Sequence, residues 1–286
     1  MICFGRQSRS ARPIALEQQW PPAATVPALQ PDQIHLWCAC LQAPAAASQQ
    51  LLPLLSAAER ERARRFRFRR HRRRFILTRG ILRHLLGRYL GIAPQHLQLA
   101  QGRNGKPYLS GAGPTELQFN LAHAGQWALY AFASGSQPLG IDLERDRPLP
   151  QAEQLARRFF APRERDALRA LPASERSRAF LQAWTRKEAY LKAIGTGLAG
   201  SLDRVEVSVG PAGLLQQRDS GCSGAARWWL CDLVPAPGYV AALAGWGDGW
   251  RLQQWQLPLQ ALRIEPPIDA RHYPYNDGRQ NEPPFP

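Results

Sequence analysis

Lysine is almost missing from this chain. Only three of its 37 basic residues are Lys (106, 187 and 192), and the rest are Arg. A compact, titratable ammonium is not equivalent to a guanidinium fork, so each Lys is informative. Paired cysteines are missing as well. The five Cys (3, 38, 40, 222 and 231) are odd in number and show no CxxC spacing, which argues against a disulfide framework. Cys38 and Cys40 alternate with Trp37 and Ala39 and read as buried thiols of a strand rather than metal ligands. No apolar run reaches the ~18–20 residues that span a bilayer. Gln, Arg and Ser interrupt residues 5–12, so no secretory leader is expected there. These absences give the expectation of a soluble, cytoplasmic chain with no membrane partner. Acidic residues are also few, 22 in all, leaving a net charge of +15. Such a balance favours a polyanionic partner: nucleic acid, an acidic protein or a phosphorylated small molecule.

What is present reads as a mixed fold. At 286 residues the chain can form one large domain or two small ones with real cores. Residues 1–30, rich in Pro, Ala, Gln and Arg, read as a flexible extension, and residues 266–286 as a disordered tail. Residues 34–41 read as the first strand. A short helix or turn follows at 45–55. Ser56 and Glu59 are spaced as a capping box, predicting a helix from there to about Phe66. Ten arginines crowd residues 60–74. An apolar stripe then predicts a helix from His71 to Leu90, ended by Gly91. Strands are expected at 119–121 and 127–133, flanking a turn at His123, and at 140–144. Helices are expected at 155–160, 164–171 and 175–194, then strands at 205–209, 228–233, 239–244 and 250–257. This order suggests two α+β units joined near residues 135–140.

Two stretches carry chemistry. On a helix, Trp184, Glu188 and Lys192 share one face at four-residue spacing. In Gly140-Ile-Asp-Leu-Glu144, strand alternation puts Asp142 and Glu144 on one face, with Ile141 and Leu143 toward a core. Two like charges side by side need a cation or base between them. With Glu188 as a third oxygen donor the set suits Mg²⁺, which prefers a few carboxylates plus substrate oxygens. His123, set among small residues, suits a phosphate contact. Any one of these has an ordinary alternative: a solvated ion pair, an acidic strand edge, a structural histidine.

Taken together, Gly105-Lys106-Pro107, Phe119-Asn120-x-x-His123, Gly140-Ile-Asp142-x-Glu144, Arg158-Phe-Phe-x-x-x-Glu164 and Trp184-x-x-Lys187-Glu188-x-x-x-Lys192 resemble the 4′-phosphopantetheinyl transferases, in particular the larger Sfp-type class. Order and spacing match from about Ser56 to Ala244. The resemblance implies an α+β (α/β) fold of two similar halves related by a pseudo-twofold, residues 31–138 and 139–265, with the active site between them. It implies transfer of the phosphopantetheine arm of coenzyme A to a serine of an acyl or peptidyl carrier protein, with release of 3′,5′-ADP. Asp142, Glu144 and Glu188 match the Mg²⁺ ligands, Glu188 also the proposed base, and Lys192 the lysine at the pyrophosphate. Arg62, Arg74 and His123 match positions around the CoA 3′-phosphate. Lys106 matches the lysine of the nucleotide turn, with Gly105 and Pro107 lining the adenine pocket. A monomer is expected by the same resemblance. Ala122 stands where many members have Ser, and Glu59 near where others have a base.

The arginine run has other readings. It can be a solvated helix face with snorkelling side chains. It can steer an acidic carrier, or form a basic nucleic-acid-binding module without catalysis, with Trp side chains as stacking surfaces. The last reading leaves the acidic residues unexplained.

Overall fold

The computed structural model describes residues 2–3, 20–110, 117–196, 202–210, 215–216, 228–247 and 249–259. Its strands are β1 (Ile2–Cys3), β2 (Gln33–Cys40), β3 (Leu99–Gln101), β4 (Pro107–Leu109), β5 (Leu117–Ala124), β6 (Trp127–Ser134), β7 (Leu139–Arg145), β8 (Val205–Glu206), β9 (Leu215–Gln216), β10 (Trp228–Leu233), β11 (Tyr239–Trp246) and β12 (Arg251–Gln256). Its α-helices are α1 (Ala45–Leu51), α2 (Ala57–Arg64), α3 (Arg69–Leu90), α4 (Ala152–Phe159), α5 (Pro162–Ala170) and α6 (Ala173–Ile194). The mixed α+β class is the one read from the sequence.

Two four-stranded sheets, ordered β12-β2-β6-β5 and β7-β11-β10-β9, pack face to face. Alternation along the strands builds the layers. Leu36, Cys38, Leu129 and Ala131 of the first sheet meet Ile141, Leu143, Ala241 and Leu243 of the second in a central core. The intervening residues of each sheet face outward, under a long helix. Trp37, Tyr130 and Phe132 lie against Leu77, Ile81 and Leu85 of α3. Val240, Ala242 and Ala244 lie against Phe180, Ala189 and Tyr190 of α6. Both long helices have 22 residues and end at a left-handed glycine, Gly91 (φ 64°) and Gly195 (φ 75°). A side chain with Cβ is disfavoured in that conformation, so glycine stops the helix there. The two halves are thus built alike: a sheet, its outer face under one 22-residue helix.

The structure differs from the sequence expectation in several places. Residues 20–30 are not loose. Trp20 is buried in the central core, and Ala23, Val26 and Leu29 pack on the first one. Ala23 N donates to Gln256 O at 3.0 Å and Gln256 N to Pro21 O at 2.9 Å. Strand β12, placed by sequence in the second half, runs parallel to β2 in the first sheet. The chain therefore crosses back after β11. Strand β5 continues through His123 to Ala124, so the turn comes later, at the left-handed Gly125 (φ 51°). Helix α5 begins at Pro162, which occupies its first turn, two residues before the expected start at 164. The stretch expected as a strand at 205–209 is one only at Val205–Glu206. The tail at 266–286 lies outside the described residues.

Candidate active site

Helix α6 and strand β7 come together without a side chain between them at Gly140. A Cβ there would fall 2.0 Å from Ala189 O and 2.4 Å from Ala193 N. This close approach delivers the residues that follow. Asp142 and Glu144 share the outward face of β7, as alternation requires, while Ile141 and Leu143 enter the central core. Asp142 is paired in register with Ala242, whose side chain lies in the core under α6. Glu188 and Lys192, one turn apart on α6, meet these carboxylates from the helix side. Lys192 Nζ lies 2.5 Å from Asp142 Oδ1 and donates to Ile141 O at 3.3 Å.

The electrostatics are those of crowded, desolvated acids. Burial pushes the Asp142 carboxyl up, against the pull of Lys192. Burial, then the Asp142 charge, pushes Glu144 up. Glu188 is pushed up to about 7, by burial first and by Asp142 and Glu144 after it, with Lys192 opposing. Asp142 Oδ2 and Glu188 Oε1 are both buried without a hydrogen-bond partner. A buried acceptor left without a donor is costly and needs a reason. Among the described residues no three Asp, Glu, His or Cys side chains already converge on one point. Asp142 is instead turned onto Lys192. The donor chemistry nonetheless fits a hard divalent cation. All the donors are carboxylate oxygens, two of them buried and without a donor, with half-buried Glu144 leaving a side open for water and phosphate oxygens.

Basic groups occur near Lys192 and on the helices α2 and α3. His123 lies at the exposed end of β5, and the imidazolium is held down by desolvation among its neighbours and then by the Arg74 and Lys192 charges. His123 thus feels the charges of both Arg74 and Lys192, and Arg74 is exposed. Arg62 is also exposed and stacks over the Phe75 ring at 5.3 Å. Beside Glu144 opens an apolar cavity of about 250 Å³ lined by Leu149, Leu155, Phe180 and Trp184, with Arg147 at its edge. Trp184 is thus on the same side of α6 as Glu188, as the helical spacing implied.

Other motif residues serve the fold. Lys187 points away from the carboxylates and is wholly buried. It pairs with Glu164 at 2.5 Å and donates to Leu202 O at 2.8 Å. Glu164 in turn accepts from Ala161 N and Val207 N, both at 2.7 Å. Lys106, expected at a nucleotide, directs its ammonium to Leu139 O at 3.0 Å and Ala193 O at 3.3 Å. Gly105 (φ 79°) and Pro107 flank it at the β3–β4 turn. Glu59 closes the capping box with Ser56 and ion-pairs with Arg79 at 3.2 Å and Arg83 at 2.5 Å. Two arginines that composition could not single out, Arg83 and Arg186, are buried hubs. Arg186 binds both Asp232 oxygens, Ser208 O and Gly210 O.

Comparison with known proteins identifies a family. Residues 138–244 match the family described as the 4′-phosphopantetheinyl transferase superfamily. Residues 42–135 match the one described as 4′-phosphopantetheinyl transferase, N-terminal. The chain is 41% identical over 241 residues to the 4′-phosphopantetheinyl transferase HetI of Nostoc sp., covering 84% of this chain and 99% of that protein. It is 29% identical over 160 residues to 4′-phosphopantetheinyl transferase Sfp of Bacillus subtilis, or 56% of this chain and 69% of that one. The L-aminoadipate-semialdehyde dehydrogenase-phosphopantetheinyl transferase of Xenopus laevis is 30% identical over 162 residues, 54% of this chain and 53% of its own.

Proposed function

The chain belongs to the 4′-phosphopantetheinyl transferase superfamily, and from that premise we propose that its reaction runs at Asp142, Glu144, Glu188 and Lys192. The enzyme transfers the phosphopantetheine arm of coenzyme A to a carrier-protein serine. The observation that carries the site assignment is the pair of buried, unpartnered carboxylate oxygens on Asp142 and Glu188 beside the Lys192 ammonium.

Asp142, Glu144 and Glu188 would hold Mg²⁺, which would supply charge neutralisation at the CoA pyrophosphate. Glu188, whose Oε1 has no hydrogen-bond donor in the fold, takes the proton of the attacking serine hydroxyl, directly or through water. Lys192 sits with its side chain partly exposed and directs a compact positive charge toward the phosphates, where negative charge grows on the bridging oxygen as the pyrophosphate bond breaks and 3′,5′-ADP leaves. His123 and Arg74, on the same rim, hold the 3′-phosphate, with Arg62 beside them. Gly105 and Pro107 border the adenine. The apolar cavity at Trp184 and Phe180 takes the uncharged pantetheine arm and keeps water from the reacting phosphate.

The enzyme acts as a monomer, since one chain carries both sheets and both long helices. Its two halves, 31–138 and 139–265, meet near residue 138, with β12 crossing back to the first. The free thiols Cys38, Cys40 and Cys231 suit a reducing cytoplasm. Among the described residues no helix is long and apolar enough to cross a membrane. The relatives named above are transferases and lend no support to a nucleic-acid module. Calorimetric titration of Mg²⁺ into the protein with CoA, for wild type and Asp142→Asn, tests the site. Wild-type binding lost in the variant, with CoA still bound, is the expected result. Equal metal affinity in both would remove Asp142 from the site.

A further inference from the structure

The β3–β4 turn does more than border a nucleotide. It caps helix α6 from outside. The last carbonyls of any α-helix lack an intrahelical donor and must find one elsewhere. In α6 two of the oxygens at this end find theirs on the turn. Lys106 Nζ donates to Ala193 O at 3.3 Å, and Asn104 Nδ2 donates to Gly195 O at 2.8 Å. Lys106 also donates to Leu139 O at 3.0 Å, the first residue of β7. One ammonium therefore grips the helix that carries Glu188 and Lys192 and the strand that carries Asp142. It does so next to Gly140, where the two elements touch backbone to backbone. Its charge also opposes the negative end of the helix dipole. The turn itself is closed by Gly102 N donating to Lys106 O and Gly105 N to Gly102 O, both at 2.9 Å. Burial holds the Lys106 amine down to about 8, as a group enclosed by protein rather than meeting solvent anions would be.

We propose that Lys106, assisted by Asn104, is a positioning residue that staples β7 to the C-terminal turn of α6 and so sets the distance between Asp142 and the Glu188–Lys192 face. This rests on the reading of those residues as the reaction site. A lysine touching CoA phosphate would act on affinity. A staple acts on the geometry of the reacting groups, and hence on turnover. The side chain reaches backbone oxygens through a four-carbon stem, so Met keeps the stem and removes the donors, whereas Arg keeps charge on a longer fork.

The experiment compares wild type, Lys106→Met, Lys106→Arg and Asn104→Ala. The readouts are kcat and KM for CoA with an apo carrier protein, the Kd of 3′,5′-ADP, and hydrogen exchange at the amides of residues 188–195. Lys106→Met is expected to lower kcat at least tenfold at temperatures well below its unfolding midpoint. Its Kd for 3′,5′-ADP should move less than threefold, and exchange at 188–195 should rise. Asn104→Ala, an exposed site that folding tolerates, should raise the same exchange with a kcat loss of about threefold, and Lys106→Arg should recover part of the rate. A tenfold weaker Kd for 3′,5′-ADP with kcat intact would overturn the proposal in favour of direct ligand contact. Unchanged exchange in both Lys106→Met and Asn104→Ala would overturn it whatever the kinetics. If Lys106→Met does not fold, exchange in Asn104→Ala decides alone: a rise at 188–195 supports the staple and no change overturns it. The exchange result does not depend on the site reading, which fails separately if Asp142→Asn remains fully active.

Discussion

Glu188→Gln should make this protein more stable and useless. The substitution keeps the size of the side chain and removes its charge. In the fold Glu188 is 8% exposed, faces Asp142 and Glu144, and has one carboxylate oxygen without a donor. Its carboxyl rises from an ordinary 4.5 to about 7. At ~1.4 kcal/mol per pH unit that difference corresponds to about 3 kcal/mol, and screening by solvent at the open side of the site reduces it to about 2 kcal/mol. The sign follows from linkage. A carboxyl whose folded value is raised binds protons more tightly in the folded state, so stability is full below pH 4.5 and falls as pH rises to about 7, where the loss is complete. The variant escapes that loss. In chelator, wild type and Glu188→Gln should unfold at similar temperatures at pH 4. At pH 8 the variant should melt about 4–8 °C higher, at ~2–4 °C per kcal/mol for a chain of this size. Turnover at pH 8 should fall at least a hundredfold, because Gln cannot accept the serine proton. Thermal unfolding at the two pH values, with a rate assay beside it, decides the matter. A variant no more stable than wild type at pH 8, or equally stabilised at pH 4, would refute the claim that unneutralised acids crowd this site.

Further outcomes follow from the same geometry. Gly140→Ala should separate α6 from β7, since its Cβ would overlap Ala189 O and Ala193 N. Either insolubility or a folded protein with a hundredfold lower rate is expected, read by circular dichroism and the rate assay; a wild-type rate would contradict the close approach. Lys187→Met leaves Glu164 buried without its counter-charge and should cost about 3–5 kcal/mol in urea unfolding, against near zero for a merely solvated lysine. With an acidic carrier, kcat/KM should fall several-fold between low and high salt, because exposed arginines along α2 and the start of α3 add a screened attraction. Flat kinetics would leave the arginine run a solvated face.

Much of this fold could be read in the sequence because the deciding signals are local. The Ser56–Glu59 capping box, the apolar stripe ending at Gly91, and the Gly140–Glu144 alternation each depend on neighbours a few residues apart, and each is where it was expected. Pairings across the chain were not legible. Nothing near Arg251 tells that β12 will run parallel to β2, or that Trp20 will enter the central core. Side-chain direction was harder still. The scarcity of lysine marked Lys106, Lys187 and Lys192 equally, yet only Lys192 faces the carboxylates. The other two satisfy backbone oxygens of chain segments far away in sequence, a demand visible only once the helix ends and loops are in place. Helical spacing did distinguish Lys187 from Lys192 in principle, because Glu188 shares a face with the second and not with the first.

The most direct test of the proposed site is the intact mass of an apo carrier protein after incubation with CoA, Mg²⁺ and either wild type or Asp142→Asn. A gain of about 340 Da with wild type, absent with the variant and with EDTA, is the predicted result for metal-assisted transfer at these carboxylates. The same gain with Asp142→Asn, or in EDTA, would contradict it.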